Sequence, residues 1–107
     1  MPENSLKFVA VTGKSIAYHR ASGDIEMVDW ADLQRVFIET TDGGPYFYDV
    51  FWILIGEQGG CMIPQGIPGE EALAEQLQAL PGFDHLALIE SMSSTTNQRF
   101  LCWKSNK

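Results

Sequence analysis

Residues 33–64 read LQRVFIETTDGGPYFYDVFWILIGEQGGCMIP, and this stretch decides the fold. Two apolar segments, Leu33–Thr41 and Tyr46–Gly56, flank Asp42-Gly43-Gly44-Pro45. A third, Cys61–Pro64, follows Gln58-Gly59-Gly60. Glycine supplies positive φ and proline presets φ, so these clusters end strands and reverse the chain. Leu33–Thr41 alternates in part, with Leu33, Arg35, Phe37 and Glu39 opposite Val36 and Ile38. Tyr46–Ile55 is apolar on both faces: Tyr48, Val50, Trp52 and Leu54 oppose Phe47, Phe51, Ile53 and Ile55. A strand buried on both sides suits a sheet that closes on itself or lies under a helix.

Outward from this centre the same signals recur. Leu6–Val11, Ser15–Arg20 and Ile25–Val28 read as short strands, with turns at Gly13-Lys14 and Ser22-Gly23-Asp24. Gaps this small admit antiparallel pairing and exclude parallel crossovers. Beyond Pro68 the period changes. Leu73, Leu77 and Leu80 make one helical stripe, Glu70 and Glu71 suit the positive end of the helix dipole, and Pro81-Gly82 stops it. A second, shorter helix follows, with Asp84 as cap and Phe83 packing on Leu88 as a staple, although Leu86, Leu88 and Met92 also fit a strand. Ser93–Asn97 reads as a polar loop and Gln98–Lys104 as a closing strand.

The expected architecture is therefore α+β. It is a strongly curled antiparallel sheet or small barrel of about six N-terminal strands, one or two helices and one C-terminal strand. Residues 1–107 form a single domain, as the length suggests. An apolar content of 45% against 20% charged residues is that of a folded chain, not a disordered one.

Charge narrows the partners. The net charge is −7, and residues 21–98 hold thirteen acids against Arg35 alone. A body this acidic repels phosphate, so nucleic acid and anionic membranes are excluded as expected partners. The bases gather at the two ends of the sequence. If the last strand pairs beside the first, they form one basic patch. No charged-then-apolar leader opens the sequence, and the run Val50–Ile55 is too short to span a bilayer. With two cysteines outside any C-x-x-C pair, a reduced, cytoplasmic setting is the expectation, and Cys61 and Cys102 read as small buried hydrophobes.

Chemical motifs are sparse. Gly13-Lys14-Ser15 resembles the end of a phosphate loop, but that loop needs a glycine where Phe8 stands, and a following helix. His19, His85, Cys61 and Cys102 stand singly, without zinc-ligand spacing. Cys61 follows Gly59-Gly60, which could expose it, and would act as a nucleophile only if His19 or His85 folded beside it. Asp29 with Asp32 fits turn and cap chemistry, and Glu70 with Glu71 fits the helix dipole, better than general acid–base work. No catalytic, cofactor-binding or metal-ligating set is assigned. The informative surplus is aromatic. Tyr46, Phe47 and Tyr48, with Asp42 beside the glycine turn, form the candidate interaction surface.

Trp30-x-Asp32-Leu33-x-x-Val36-x-Ile38-x-Thr40-Thr41-Asp42-x-Gly44-Pro45 is followed by Asp49-Val50-Phe51-Trp52-x-Leu54, then Leu77-x-x-Leu80-Pro81-Gly82-Phe83-Asp84 and Phe100-x-Cys102-Trp103. This order resembles a family of small uncharacterised bacterial proteins, which implies no activity. The strand-rich front and amphipathic helix also resemble pleckstrin-homology-like barrels. Such barrels usually finish on the helix, and their lipid sites rely on a basic pocket that this acidic body lacks. The functional expectation is a non-enzymatic protein–protein interaction module. Its forms include self-association and an adaptor or immunity protein that masks a basic partner by charge complementarity. The alternative is a small-molecule binder or enzyme with a pocket in the curled sheet.

Overall fold

The computed structural model describes residues 7–42, 50–94 and 96–105. Strands β1 (Phe8–Val11), β2 (Ser15–His19) and β3 (Ile25–Asp29) form an antiparallel sheet in the order β1-β2-β3. Local turns set this pairing. Thr12 Oγ1 accepts from the backbone N–H groups of Lys14 and Ser15. Gly23 takes a φ of 98° between β2 and β3, which costs glycine little. Alternation then sorts the side chains: Val9 with Tyr18, and Ile16 with Val28, are register partners on the buried face.

After β3 the expected single curled sheet is not what forms. A 3-10 turn at Trp30–Asp32 interrupts the meander. It is pinned to the β1–β2 turn, because Trp30 N–H donates to Lys14 O and its indole N–H to Thr12 O, both at 2.9 Å. Asp29 stands at the N-cap position of this turn, but its side chain makes no capping hydrogen bond. The turn delivers β4 (Leu33–Thr40) into a second antiparallel sheet with β5 (Val50–Gly56), β6 (Gly60–Pro64) and β7 (Gln98–Lys104), in the order β6-β5-β4-β7. The described residues thus hold seven strands in two sheets, neither strongly curled nor closed into a barrel. The pleckstrin-homology-like resemblance implies closure and an end on a helix, whereas here the sheets stay open and β7 follows both helices.

The closing strand also corrects the charge reading. It pairs with β4, whose edge is left vacant when the 3-10 turn separates β3 from β4, and not with β1. Lys104 lies opposite Arg35 and Arg99 opposite Glu39, while Lys14 and Arg20 flank β2 in the other sheet. The two basic ends are therefore carried on separate sheets. A register shift between Val36 and Phe37 leaves Cys102 as the extra residue of β7, and its side chain is buried.

Two helices complete the fold among the described residues: α1 (Glu70–Gln78) and α2 (His85–Met92). The leucine stripe does what its spacing predicts. Leu73 and Leu77 are wholly buried and Leu80 packs against the same core, together with Trp52, Leu54, Ile63, Val36 and Ile38 of the second sheet. Trp52, the largest wholly buried side chain, keeps its indole N–H satisfied by donating to Glu70 Oε2 at 2.8 Å. Glu70 Oε1 accepts from Gly66 N–H as well, so one carboxylate ties the first turn of α1 to β5 and to the loop before it.

The outer strands β1, β6 and β7 each form a hydrogen bond with a group outside their own sheet. Val9 N–H of β1 donates to Pro68 O at 3.0 Å. Met62 N–H of β6 donates to Glu26 Oε1 of β3 at 3.1 Å. Asp84 N–H donates to Cys102 O of β7 at 2.7 Å.

Candidate interaction surface

Helix α2 is built from HLALIESM, and its burial runs against side-chain size. Asp84 caps it, accepting from Ala87 N–H at 3.1 Å. The residues it buries are Ala87 and Ser91. Ser91 satisfies its hydroxyl by donating to Leu88 O at 2.6 Å. Small residues let α2 lie close over β4 and β7. The loop after it is then fastened by Thr40 Oγ1, which donates to Thr96 O at 2.8 Å and meets Ser94 Oγ at 3.0 Å. Phe83 is buried and Leu88 half-buried against the core, as the staple positions suggest.

The remaining large side chains of α2 point outward. Leu86, Ile89 and Met92 are 72%, 61% and 79% exposed. At intervals of three residues they share one side of the helix. The acids of α2 and its cap, Asp84 and Glu90, are both exposed, and α2 carries no Lys or Arg. Helix α2 therefore presents an apolar ridge with carboxylates beside it.

A second apolar feature crosses the other sheet face. Leu101, Phe37, Ile53 and Met62 are successive register partners across β7, β4, β5 and β6. Its ends, Leu101 and Met62, are 44% and 42% exposed. Arg99 sits 5.4 Å above the Phe37 ring and forms an ion pair with Glu39 at 2.6 Å. A cleft of about 380 Å³ lies nearby, lined by Asp32, Arg35, Glu57 and Lys104 among others, with acids and bases mixed.

Of the sequence-derived surface, Asp42 is described: it is exposed, and its backbone N–H donates to Asn97 Oδ1 at 3.2 Å. Tyr46, Phe47 and Tyr48 lie outside the described residues, as do the first residues of the expected strands at Leu6 and Tyr46. Cys61 and Cys102 are free and buried. Burial, with Glu26 nearby, pushes the Cys61 thiol up to about 12. Burial, with Asp84 nearby, pushes Cys102 up to about 11. A thiol held protonated is a poor nucleophile, so the doubled glycine before Cys61 does not expose a reactive group. His19 stacks on Phe8 at 4.3 Å and His85 meets the edge of Phe83 at 5.0 Å. Among the described residues no three His, Cys, Asp or Glu side chains are placed to hold a metal ion.

Reading the sequence did not find the α2 ridge: apolar residues stand on several sides of HLALIESM, so the pattern does not say which side is buried.

No family model matches the chain, and neither a curated protein nor a solved structure matches it significantly.

Proposed function

We propose that the protein is a non-enzymatic protein–protein interaction module, of the adaptor or immunity type, whose main contact surface is the outer side of α2. The carrying observation is the exposure of Leu86, Ile89 and Met92 on one side of a helix whose opposite side is already packed. Clustered apolar surface of this kind on a soluble domain marks a contact site. The interior supports the same reading. Trp52, Ile63, Leu73 and Leu77 fill the space that a ligand pocket in a curled sheet would need, which weakens the rival small-molecule or enzymatic reading. Tyr46, Phe47, Tyr48 and Asp42 are proposed as a second contact region. The acidic body disfavours nucleic acid and anionic lipid. No described helix is long and apolar enough to cross a membrane. A reduced, cytoplasmic setting accords with two free buried thiols.

The test is sedimentation together with capture from native extract, comparing wild type with the Leu86→Ser/Ile89→Ser variant. The expected result is an assembly that wild type forms and the variant loses. A strict monomer that captures nothing, or capture indifferent to both substitutions, rules the surface out.

A further inference from the structure

The α2 ridge has an electrostatic setting that selects what can cover it. Apart from His85, the ionisable side chains of α2 and its cap are Glu90, one turn beyond Leu86, and Asp84, both exposed carboxylates. A second copy docked ridge to ridge would bring these carboxylates toward those of its copy, and like charges brought together across an interface cost affinity. The C-terminal end of α2, at Met92, carries the negative end of the helix dipole and has no basic residue in its last turn. One chemistry satisfies both the apolar side chains and the field around them.

We propose that the Leu86–Ile89–Met92 face of α2 docks a basic amphipathic helix from a different protein. This rests on the interaction-module reading and names its partner class. The partner's apolar stripe covers the three exposed side chains, one helix packing its ridges beside the other. Its Lys and Arg residues flank that stripe and face Glu90 and the Met92 end of α2. Apolar contact supplies the affinity. The charges speed encounter and reject acidic helices, so binding weakens as salt rises.

The probe is a synthetic amphipathic helix of about five turns, with leucine at core spacing and lysine elsewhere, titrated into the full chain by calorimetry. Wild type is expected to bind it. The Leu86→Ser/Met92→Ser variant and, separately, Glu90→Lys are each expected to bind about tenfold more weakly or worse, at unchanged melting temperature. Because these side chains are exposed, the fold does not depend on them. A peptide with the same leucines and glutamate in place of lysine is expected not to bind. Equal binding of the two peptides, or binding indifferent to the serine substitutions, overturns the proposal. So does retention on phosphatidylcholine vesicles that the serine variant loses, which assigns the ridge to a lipid surface. If the lysine peptide fails to bind but wild type dimerises and Ile89→Ser makes it monomeric, the basic partner is wrong and the interaction reading stands. If the peptide fails and the protein neither self-associates nor captures a partner, both fall.

Discussion

Gly66 and Gly69 have the same backbone preference and different surroundings, which separates two costs usually measured together. Both take positive φ, 95° and 88°. A Cβ at Gly66 would meet nothing within 4 Å, whereas one at Gly69 would fall 2.0 Å from Val9 O. Gly66→Ala therefore bears only the left-handed strain, about 1–2 kcal/mol. Gly69→Ala must also push β1 away from the loop and weaken the Val9–Pro68 hydrogen bond, for about 3 kcal/mol or more. Urea unfolding of the two variants checks this, and equal losses would show that the edge contact is slack. The cysteines make a second residue-scale prediction. Neither thiol should react with Ellman's reagent at pH 8 in the folded protein, and both should react once it is unfolded. The folded thiols ionise near pH 12 and 11, the unfolded ones near 9.0. The unfolded chain therefore loses its thiol protons first as pH rises. Stability is unaffected by them below about pH 9 and falls above it, by up to ~1.4 kcal/mol per pH unit for each thiol. The Cys61→Ala/Cys102→Ala variant should lack this part of the alkaline decline, and an identical decline would refute the assignment.

At the scale of elements, Glu70 shows how one carboxylate can matter more than its neighbour. It accepts from the buried Trp52 indole and from Gly66 N–H, while Glu71 is exposed. Glu70→Ala leaves a buried donor unpaired and should cost ~1–3 kcal/mol. Glu70→Gln retains an acceptor oxygen and should recover much of that. Glu71→Ala should fall within about 0.5 kcal/mol of wild type. Thermal and urea melts rank the three, and a Glu71 effect equal to that of Glu70 would refute the role given to the indole contact. The period of the leucines made α1 readable from sequence, because a helix burying one face writes that face at fixed spacing. The strands were readable for the same reason, with Gln98–Lys104 correct at both ends. The division into two sheets was not. It depends on Trp30 reaching back to Thr12 and Lys14, a long-range contact that leaves no local pattern. The orientation of α2 was hidden too, since apolar residues surround it and the smallest, Ala87, went inward with Ser91.

For the molecule as a whole, the question is whether two sheets make one folding unit. The first sheet contributes Val9, Ile16, Tyr18 and Val28 to the same buried cluster as Trp52, Leu54, Leu73 and Cys102. Its cover is α1, which packs against β1 and brings Leu73 and Leu77 into that cluster, and a small sheet without such cover is not stable in water. Glu26 to Met62 and Trp30 to Thr12 add polar ties at the junction. One cooperative transition is therefore expected across residues 1–107, with both sheets lost together. The three tryptophans are placed to test it. Trp30 lies at the junction of the sheets, Trp52 in the core, and Trp103 on β7 with its indole N–H donating to Pro81 O at 2.8 Å. Variants keeping one tryptophan each, the others replaced by phenylalanine, should each unfold in urea with coincident fluorescence and far-ultraviolet circular dichroism curves. Substitution will shift the midpoints between variants, most of all where Trp52 is lost, so the comparison is made between probes within each variant. A Trp30 signal that changes at lower urea than the backbone signal of the same protein would mean that the first sheet peels away first. The contacts from Val9 to Pro68 and from Glu26 to Met62 would then be too weak to couple it to the helices.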